Sequence, residues 1–252
     1  MPDSTNVLIT GVGRGIGKAL AEAYLSRPNH TIIGTVRDAT APSVELLKSH
    51  PTAPGSRLLL FTLESTNAED YPKLRSSITS AGLSHLDIVI HNAGAANPAG
   101  TPATVDPDAV VSLFSVNTVS TLRLFQVTRG LLEASPGKEP KWMSMSSGAG
   151  TIGGCEAFQT FGVTPYALSK SGMNWLTVAI HASEKWLTAF AVHPGLVQTE
   201  MGNKGAQMMG MKEAPNTIEE AVTKSIATID GATREKTSGK YLSIIDGTIV
   251  PW

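Results

Sequence analysis

The side chains best suited to proton chemistry stand together at Tyr166 and Lys170. A spacing of i, i+4 puts both on one face of a helix. A phenol titrates near about 10, so it shuttles protons poorly at neutral pH unless something stabilises its anion. A neighbouring ammonium does that. The chain has 4 tyrosines, so a chance Tyr-x-x-x-Lys is ordinary, and a core tyrosine beside a surface lysine is the plain alternative. Context favours chemistry, because the pair follows a strand that ends in Ser144-Met145-Ser146-Ser147-Gly148. Any of those three hydroxyls is a candidate for holding a reacting oxygen. Asn117 lies in a helical pattern beside Phe114, Val116 and Val119. Those apolar neighbours argue against an exposed face.

A second group of residues suits an anion. A strand-like VLIT runs into Thr10-Gly11-Val12-Gly13-Arg14-Gly15-Ile16-Gly17, which opens a helix. Glycines allow a tight turn and let backbone N–H groups approach a pyrophosphate, which the helix N-terminus favours. The spacing is G-x-x-x-G-x-G rather than G-x-G-x-x-G. A glycine-rich turn with no ligand is the bland reading, and the strand before and helix after weigh against it. About 20 residues on, an NAD-binding fold places an acid for the ribose 2′-hydroxyl. Here Val36 takes that place and Arg37 follows it. With Arg14 nearby, two guanidiniums would clamp a 2′-phosphate, so NADP(H) is expected. An Arg37–Asp38 surface pair, or Asp38 as a displaced NAD-type acid, are the alternatives.

The elements that must position these groups alternate. Strand-like runs cover 7–10, 31–36, 57–63, 86–91, 141–146, 187–193 and 240–245, and amphipathic stretches lie between them. Ile16, Leu20 and Ala23 share one helical face. Asp106-Pro107 is an entry signal for a long helix through Asn117 toward Leu132. Pro28-Asn29, Pro51 to Gly55, Pro136-Gly137 and Pro194-Gly195 punctuate the joints. Near-continuous apolar strands alternating with helices predict a parallel sheet covered on both faces. Right-handed crossovers then give an α/β, single-domain, doubly wound Rossmann fold with seven parallel strands, its site at their carboxyl ends.

Composition narrows the function. The chain has 252 residues, 41% of them hydrophobic and 16% charged, and a net charge of −1. That supports a sizeable core and gives no reason to expect nucleic acid or an acidic membrane as partner. No run of about 18 apolar residues suggests a membrane span. A strand beginning by Asn6 leaves no room for a secretory signal. Cys155 is the single cysteine, which excludes an intrachain disulfide and a multi-cysteine metal site. The six histidines show no HExxH-like spacing. A cytoplasmic protein without a metal is expected.

Taken in order along the chain, TGVGRGIG, LDIVIHNAG, FSVN, SMSSGAG, YALSK and HPGLVQTEM resemble the motifs of the short-chain dehydrogenase/reductase family over essentially the whole length. One departure is His91, which replaces the first Asn of the family's NNAG. SGKYLSIIDGTIVPW and SSGAG look closer to the branch of C-factor-like and sniffer-like carbonyl reductases and norsolorinic acid ketoreductase-like enzymes. Tyr166 follows Ser147 at an interval of 19 residues, longer than is common in the family, so an insertion is expected to shape the substrate pocket.

The resemblance implies NADP(H)-dependent reduction of a carbonyl. Tyr166 would be the proton donor, and Lys170 would lower its pKa and hydrogen-bond the nicotinamide ribose. Ser147, directly before Gly148-Ala149-Gly150, would hold the substrate oxygen in preference to Ser144 or Ser146. Asn117 would form a helix kink and a water site feeding protons to Lys170. Gly11, Arg14, Gly15, Ile16 and Gly17 would line the cofactor loop, and Asn92, Ala93 and Gly94 the adenine-ribose side. Glu64 stands where the family often has an adenine-contacting acid, with a solvated strand-end carboxylate as the alternative. Pro194, Gly195, Val197 and Thr199 would meet the nicotinamide carboxamide.

Two loops, about 148–165 and 199–216, would frame the substrate. Phe158 and Phe161 could stack on an aromatic ketone, and Met201 and Met208, with Met209 and Met211, could form an adaptable apolar lid. Packing on the core or on a neighbouring subunit is the duller explanation. A bulky apolar or aromatic, polyketide-like carbonyl is expected, with a homodimer or homotetramer paired through the helices of Asn117 and Tyr166. The competing functions are alcohol oxidation and a non-catalytic NADP-binding regulator. A serine hydrolase is disfavoured, since no G-x-S-x-G elbow occurs and His193 fits the end of a strand.

Overall fold

The computed structural model describes residues 4–96, 98–136 and 139–252; Gly137, one of the expected joints, lies outside them. Seven strands form one parallel sheet: β1 (Thr5–Thr10), β2 (His30–Val36), β3 (Arg57–Thr62), β4 (Ile88–His91), β5 (Lys141–Met145), β6 (Thr188–His193) and β7 (Tyr241–Ser243), in the order β3-β2-β1-β4-β5-β6-β7. Eight α-helices accompany them among the described residues: α1 (Gly15–Leu25), α2 (Pro42–Lys48), α3 (Asp70–Ser80), α4 (Pro107–Phe114), α5 (Ser120–Glu133), α6 (Thr164–Ser183), α7 (Glu200–Met208) and α8 (Ile218–Gly231).

Alternation along each strand divides the core in two. Val7, Ile9, Ile32, Ile90, Met143 and Phe190 pack with α1, α2 and α8 through Leu20, Tyr24, Leu47 and Ile226. Leu8, Ile33, Val89, Trp142 and Ala189 face the other way, onto Leu74 and Ile78 of α3, Leu124 and Leu132 of α5 and Ile180 of α6. Both faces are therefore dry, as the continuous apolar strands demand. Each fully buried Leu or Ile contributes roughly 1.5–3 kcal/mol, so register is strongly held.

Strand order reverses between β1 and β4, which opens a crevice at their carboxyl ends. Thr10 bridges it: its hydroxyl oxygen accepts from the amides of Asn92 and Ala93, both at 3.0 Å. The sheet differs from the sequence pattern by a residue or two at one end or both of every strand, and at β4 and β7 the cause is visible. Leu86 gives its amide to Leu131 O of α5 at 2.9 Å and so stands outside β4. Beyond Ser243 the chain turns at Asp246, whose carboxylate accepts from Thr248 N at 3.1 Å, and Ile249 bridges back to Leu242.

The long helix starts where Asp106 accepts from Asp108 N, with Pro107 in the first turn. Between α4 and α5 it loosens into a π turn, Ser115–Val119, in which Ser120 N reaches Ser115 O. Hydroxyls of Ser120 and Thr121 bond back to Val116 O at 2.5 Å and Asn117 O at 2.7 Å, competing with the regular ladder. A π turn of this kind often marks a functional position. By length and mean hydropathy (1.3 over its most apolar window) the run Pro107–Glu133 could cross a bilayer, although it contains no unbroken apolar stretch of that length. In this fold it covers the sheet, with Leu124, Leu131 and Leu132 in the core and Asn117, Thr121 and Thr128 buried.

Candidate active site

The π turn drives Asn117 inward. Its side chain is 0% exposed. Its Nδ2 donates to Ala95 O and to Ser169 Oγ, each at 2.8 Å, and its Oδ1 accepts from Ala95 N at 2.9 Å. Asn117 thus clamps the segment after β4 to α6, and an outward-facing polar residue is ruled out. Beside it lies Lys170, 3% exposed. A Cβ placed on Gly94 would lie 2.9 Å from Asn117 Oδ1 and 3.5 Å from Lys170 Nζ, so only glycine passes there comfortably.

Lys170 donates to Met145 O at 2.7 Å, and its Nζ lies 5.8 Å from the centroid of the Tyr166 ring. Burial pushes its pKa down to about 7, because an ammonium in apolar surroundings is the disfavoured form. Burial raises the Tyr166 phenol, and a hydrogen bond with Ser147 partly offsets this. The phenol therefore stays protonated across the neutral range. Ser147 sits in extended backbone as the N-cap of a 3₁₀ turn, Gly148–Gly150, and its Oγ accepts from Ala149 N at 3.2 Å. Of the three serines, Ser147 meets the phenol. Ser144 is turned to Thr177 at 2.7 Å and to Trp142 Nε1 at 2.9 Å, and Ser146 to Asn174 at 2.6 Å.

His91 lies buried behind this group between Ser120 at 3.1 Å and Thr121 at 3.3 Å, stacked on Trp142. Burial foremost, and then the charge of Lys170, holds its pKa at about 3. It is a neutral packing and hydrogen-bonding residue.

The glycine loop is shaped to admit an anion. Gly11 and Gly15 have φ of +75° and +57°, which favours glycine. A Cβ on Gly17 would lie 2.3 Å from Asn92 Nδ2 and 2.4 Å from Gly11 O. No side chain caps the amides that begin α1, and no acid stands in its first turn, leaving those donors for a phosphate. These features fit a dinucleotide. Thr199 lies against the loop, its Cγ2 3.3 Å from a Cβ on Gly15, and its Oγ1 caps α7 by accepting from Gly202 N at 3.0 Å. Val197 is buried, and Gly195 turns at φ +85° below Asn216.

Other expected contacts are arranged differently. The amide of Asn92 donates to Thr10 O at 2.9 Å and Gly11 O at 3.4 Å, so that side chain braces the crevice. Glu64, half-buried two residues beyond β3, accepts from Thr66 N and Oγ1, each at 3.4 Å. Asp38 accepts from Thr40 N at 2.8 Å and Thr40 Oγ1 at 2.6 Å, which occupies it as a turn acceptor. Arg37 is exposed at the end of β2. Arg14 ion-pairs with Glu200 at the start of α7, a partner the spacing did not single out although it directly follows Thr199. Phe158, Phe161, Met201 and Met208 are all exposed, as are Ile152, Met209 and Met211. The insertion is tied down at one end, where Gly100 donates to Gly162 O at 3.1 Å and accepts from Thr164 N at 2.9 Å.

The seven-stranded parallel sheet with helices on both faces and a crevice at its switch point defines a Rossmann-like dinucleotide-fold protein. Residues 5–210 match the family model for short chain dehydrogenases. The chain is 44% identical over 99% of its length, and 98% of the relative's, to a short-chain dehydrogenase of Neurospora crassa. It is 39% identical to a norsolorinic acid ketoreductase of Dothistroma septosporum, covering 98% of this chain and 92% of that one. An NADPH-bound carbonyl reductase from chicken fatty liver superposes with a TM-score of 0.85 at 26% identity, covering 99% of this chain and 95% of that one. The chain belongs to the short-chain dehydrogenase/reductase family of oxidoreductases.

Proposed function

We propose that the protein is an NADPH-dependent ketoreductase acting on a bulky apolar or aromatic carbonyl compound. The observation that carries this reading is the joint placement of Ser147, Tyr166 and Lys170. One phenol, kept protonated by burial and facing Ser147, has its ring centroid 5.8 Å from a buried ammonium, and that ammonium and Asn117 both close on Gly94.

A reduced nicotinamide, when bound, supplies the hydride that reaches the carbonyl carbon. The chain does the rest. The loop of Gly11, Gly15, Ile16 and Gly17 offers its amides to the pyrophosphate, and Arg14 and Arg37 offer guanidiniums to a 2′-phosphate. Glu64 and the backbone of Asn92, Ala93 and Gly94 would border the adenosine, and Pro194, Gly195, Val197 and Thr199 the carboxamide. Ser147 donates to the substrate oxygen and fixes its position. Tyr166 gives its proton to that oxygen as charge develops. Lys170 in its ammonium form stabilises the resulting phenolate and is held in place by Met145 O. Asn117, turned inward by the π turn, would hold a water beside Lys170 for proton resupply.

Phe158, Phe161, Met201 and Met208 form the substrate side, their exposure suiting a large apolar partner. The norsolorinic acid ketoreductases among the relatives support an aromatic, polyketide-like substrate. An apolar groove of about 370 Å³ between α4–α5 and α6, walled by Phe114, Val119, Leu122, Trp175 and Leu176, supports a homodimer or homotetramer joined through those helices. Consumption of NADPH and of NADH over a panel of fused-ring aromatic and small aliphatic ketones tests the proposal. Faster turnover of the aromatic ketones with NADPH supports it. Binding of NADPH with no turnover of any carbonyl would instead favour a regulator, and preference for small ketones would remove the substrate assignment.

A further inference from the structure

We infer that His193 and Tyr241 are positioning residues that hold Ser147 by gripping the single peptide unit linking it to Gly148. The inference rests on the ketoreductase reading, in which Ser147 must present its hydroxyl at a fixed point. The two residues come from neighbouring strands. Ala191 of β6 is registered with Tyr241 of β7, so His193, two residues beyond Ala191, projects from the same face of the sheet as Tyr241. That face meets the end of β5, where Ser147 leaves the sheet.

The grip acts on both polar groups of one peptide plane. Its carbonyl, Ser147 O, accepts from the Tyr241 hydroxyl and also from Gly150 N at 2.8 Å. Its amide, Gly148 N, donates to His193 Nδ1 at 2.9 Å. The imidazole lies flat against Gly148, where an added Cβ would meet Nε2 at 3.3 Å. Carbonyl and amide point to opposite sides of the peptide, so neither a flip nor a rotation of the unit leaves both bonds intact. Accepting at Nδ1 places the imidazole proton on Nε2, and burial keeps the ring neutral.

Tyr241 is itself held. Its ring is fully buried and stacks on Trp252 with centroids 5.4 Å apart, and its carbonyl accepts from Val250 N at 2.8 Å. The 250–252 segment fastens the start of the insertion as well. Thr151 Oγ1 donates to Pro251 O at 2.6 Å and Gly153 N to Trp252 O at 3.0 Å. Ser147 is thus anchored from its own peptide and from the loop that follows.

Three variants test the grip: Tyr241→Phe, which removes only the hydroxyl, His193→Ala, and His193→Asn, whose Oδ1 can still accept from Gly148 N–H. Tyr241→Phe and His193→Ala should lower kcat about tenfold or more, since displacing a reacting group by about 1 Å is that damaging. KM for NADPH should stay near wild type, the urea midpoint should fall only as far as one lost buried hydrogen bond requires, and His193→Asn should recover most of the lost kcat. Exchange of the Gly148 amide, followed by ¹⁵N NMR without substrate, should accelerate about tenfold in His193→Ala and slow again in His193→Asn. Unchanged kcat in both disruptive variants, or loss of kcat in step with cofactor binding and stability, overturns the assignment. If the wild type reduces no ketone, the ketoreductase reading fails by itself. Gly148 exchange then decides the grip alone: a wild-type rate in His193→Ala refutes it and an accelerated rate upholds it.

Discussion

Replacing Lys170 with methionine should make the protein's stability less dependent on pH, in a direction and by an amount that the fold dictates. An unfolded lysine titrates at its model value of 10.5, whereas burial brings Lys170 down to about 7. Between those values the unfolded chain binds one more proton than the folded one, so unfolding free energy rises with pH. Below about 7 the buried ammonium imposes its full penalty, and by pH 10 nearly all of it is relieved. At about 1.4 kcal/mol per pKa unit, the difference amounts to roughly 5 kcal/mol. Methionine fills similar space but carries no charge, and it leaves Met145 O without the 2.7 Å donor. That second loss is about 1–3 kcal/mol and independent of pH. Urea unfolding of both proteins at intervals from pH 6.5 to 10 separates the two effects. The advantage of Lys170→Met over wild type should be greatest at or below pH 7 and shrink steadily toward pH 10. A gap that stays constant over that range, or widens with pH, refutes the claim that Lys170 is held in apolar surroundings.

Other outcomes follow from the site and the surface. Arg37→Ala should weaken NADPH binding by about tenfold to a hundredfold, the worth of charge-assisted bonds to a phosphate, and leave NADH binding nearly unchanged in parallel titrations; equal weakening of both removes the phosphate role. Glu200→Gln releases Arg14 from an exposed ion pair, which water and salt keep weak. NADPH should then bind up to about fivefold tighter, and a loss of affinity measured calorimetrically would contradict that competition. Phe161→Ala should raise KM for fused-ring ketones several-fold while sparing small aliphatic ones, and a uniform change would detach Phe161 from the substrate. Trp175→Lys puts a charge into the groove between the long helices and should shift sedimentation toward monomer. An unchanged mass would place the subunit contact elsewhere.

The fold was legible because the central strands are apolar on both faces and most helices carry one apolar stripe, leaving a two-sided parallel sheet as the arrangement that buries them. Strand ends were less legible. Leu86 gives its amide to α5 rather than to a strand, and after Ile244, whose amide still reaches His193 O at 3.1 Å, the chain leaves the sheet at the Asp246 turn. Of the site, Tyr166, Lys170, Ser147 and Asn117 stood out through type, spacing and family resemblance, and the fold brings all four together. The spacing could not reveal that Asn92 braces Thr10 and Gly11, that Asp38 serves Thr40, or that Glu200 meets Arg14 across 186 residues of chain. The π turn was legible only in part. Asn117 among apolar neighbours implied an inward face, but the loosening depends on Ser120 and Thr121 bonding back to the helix carbonyls. His193 opens HPGLVQTEM and Tyr241 lies in SGKYLSIIDGTIVPW, but neither segment reveals that the two meet at the Ser147–Gly148 peptide, which arises from the β6–β7 register.

The central claim is that the Tyr166 hydroxyl delivers the proton that completes carbonyl reduction. Turnover of a fused-ring aromatic ketone by wild type and Tyr166→Phe, with NADPH affinity measured on the same samples, tests it most directly. Loss of the donor should reduce kcat by about 10²–10⁴-fold, the usual contribution of a positioned acid, with NADPH affinity within a few-fold of wild type. A phenylalanine variant that keeps full turnover, or that loses cofactor binding instead, would contradict the account.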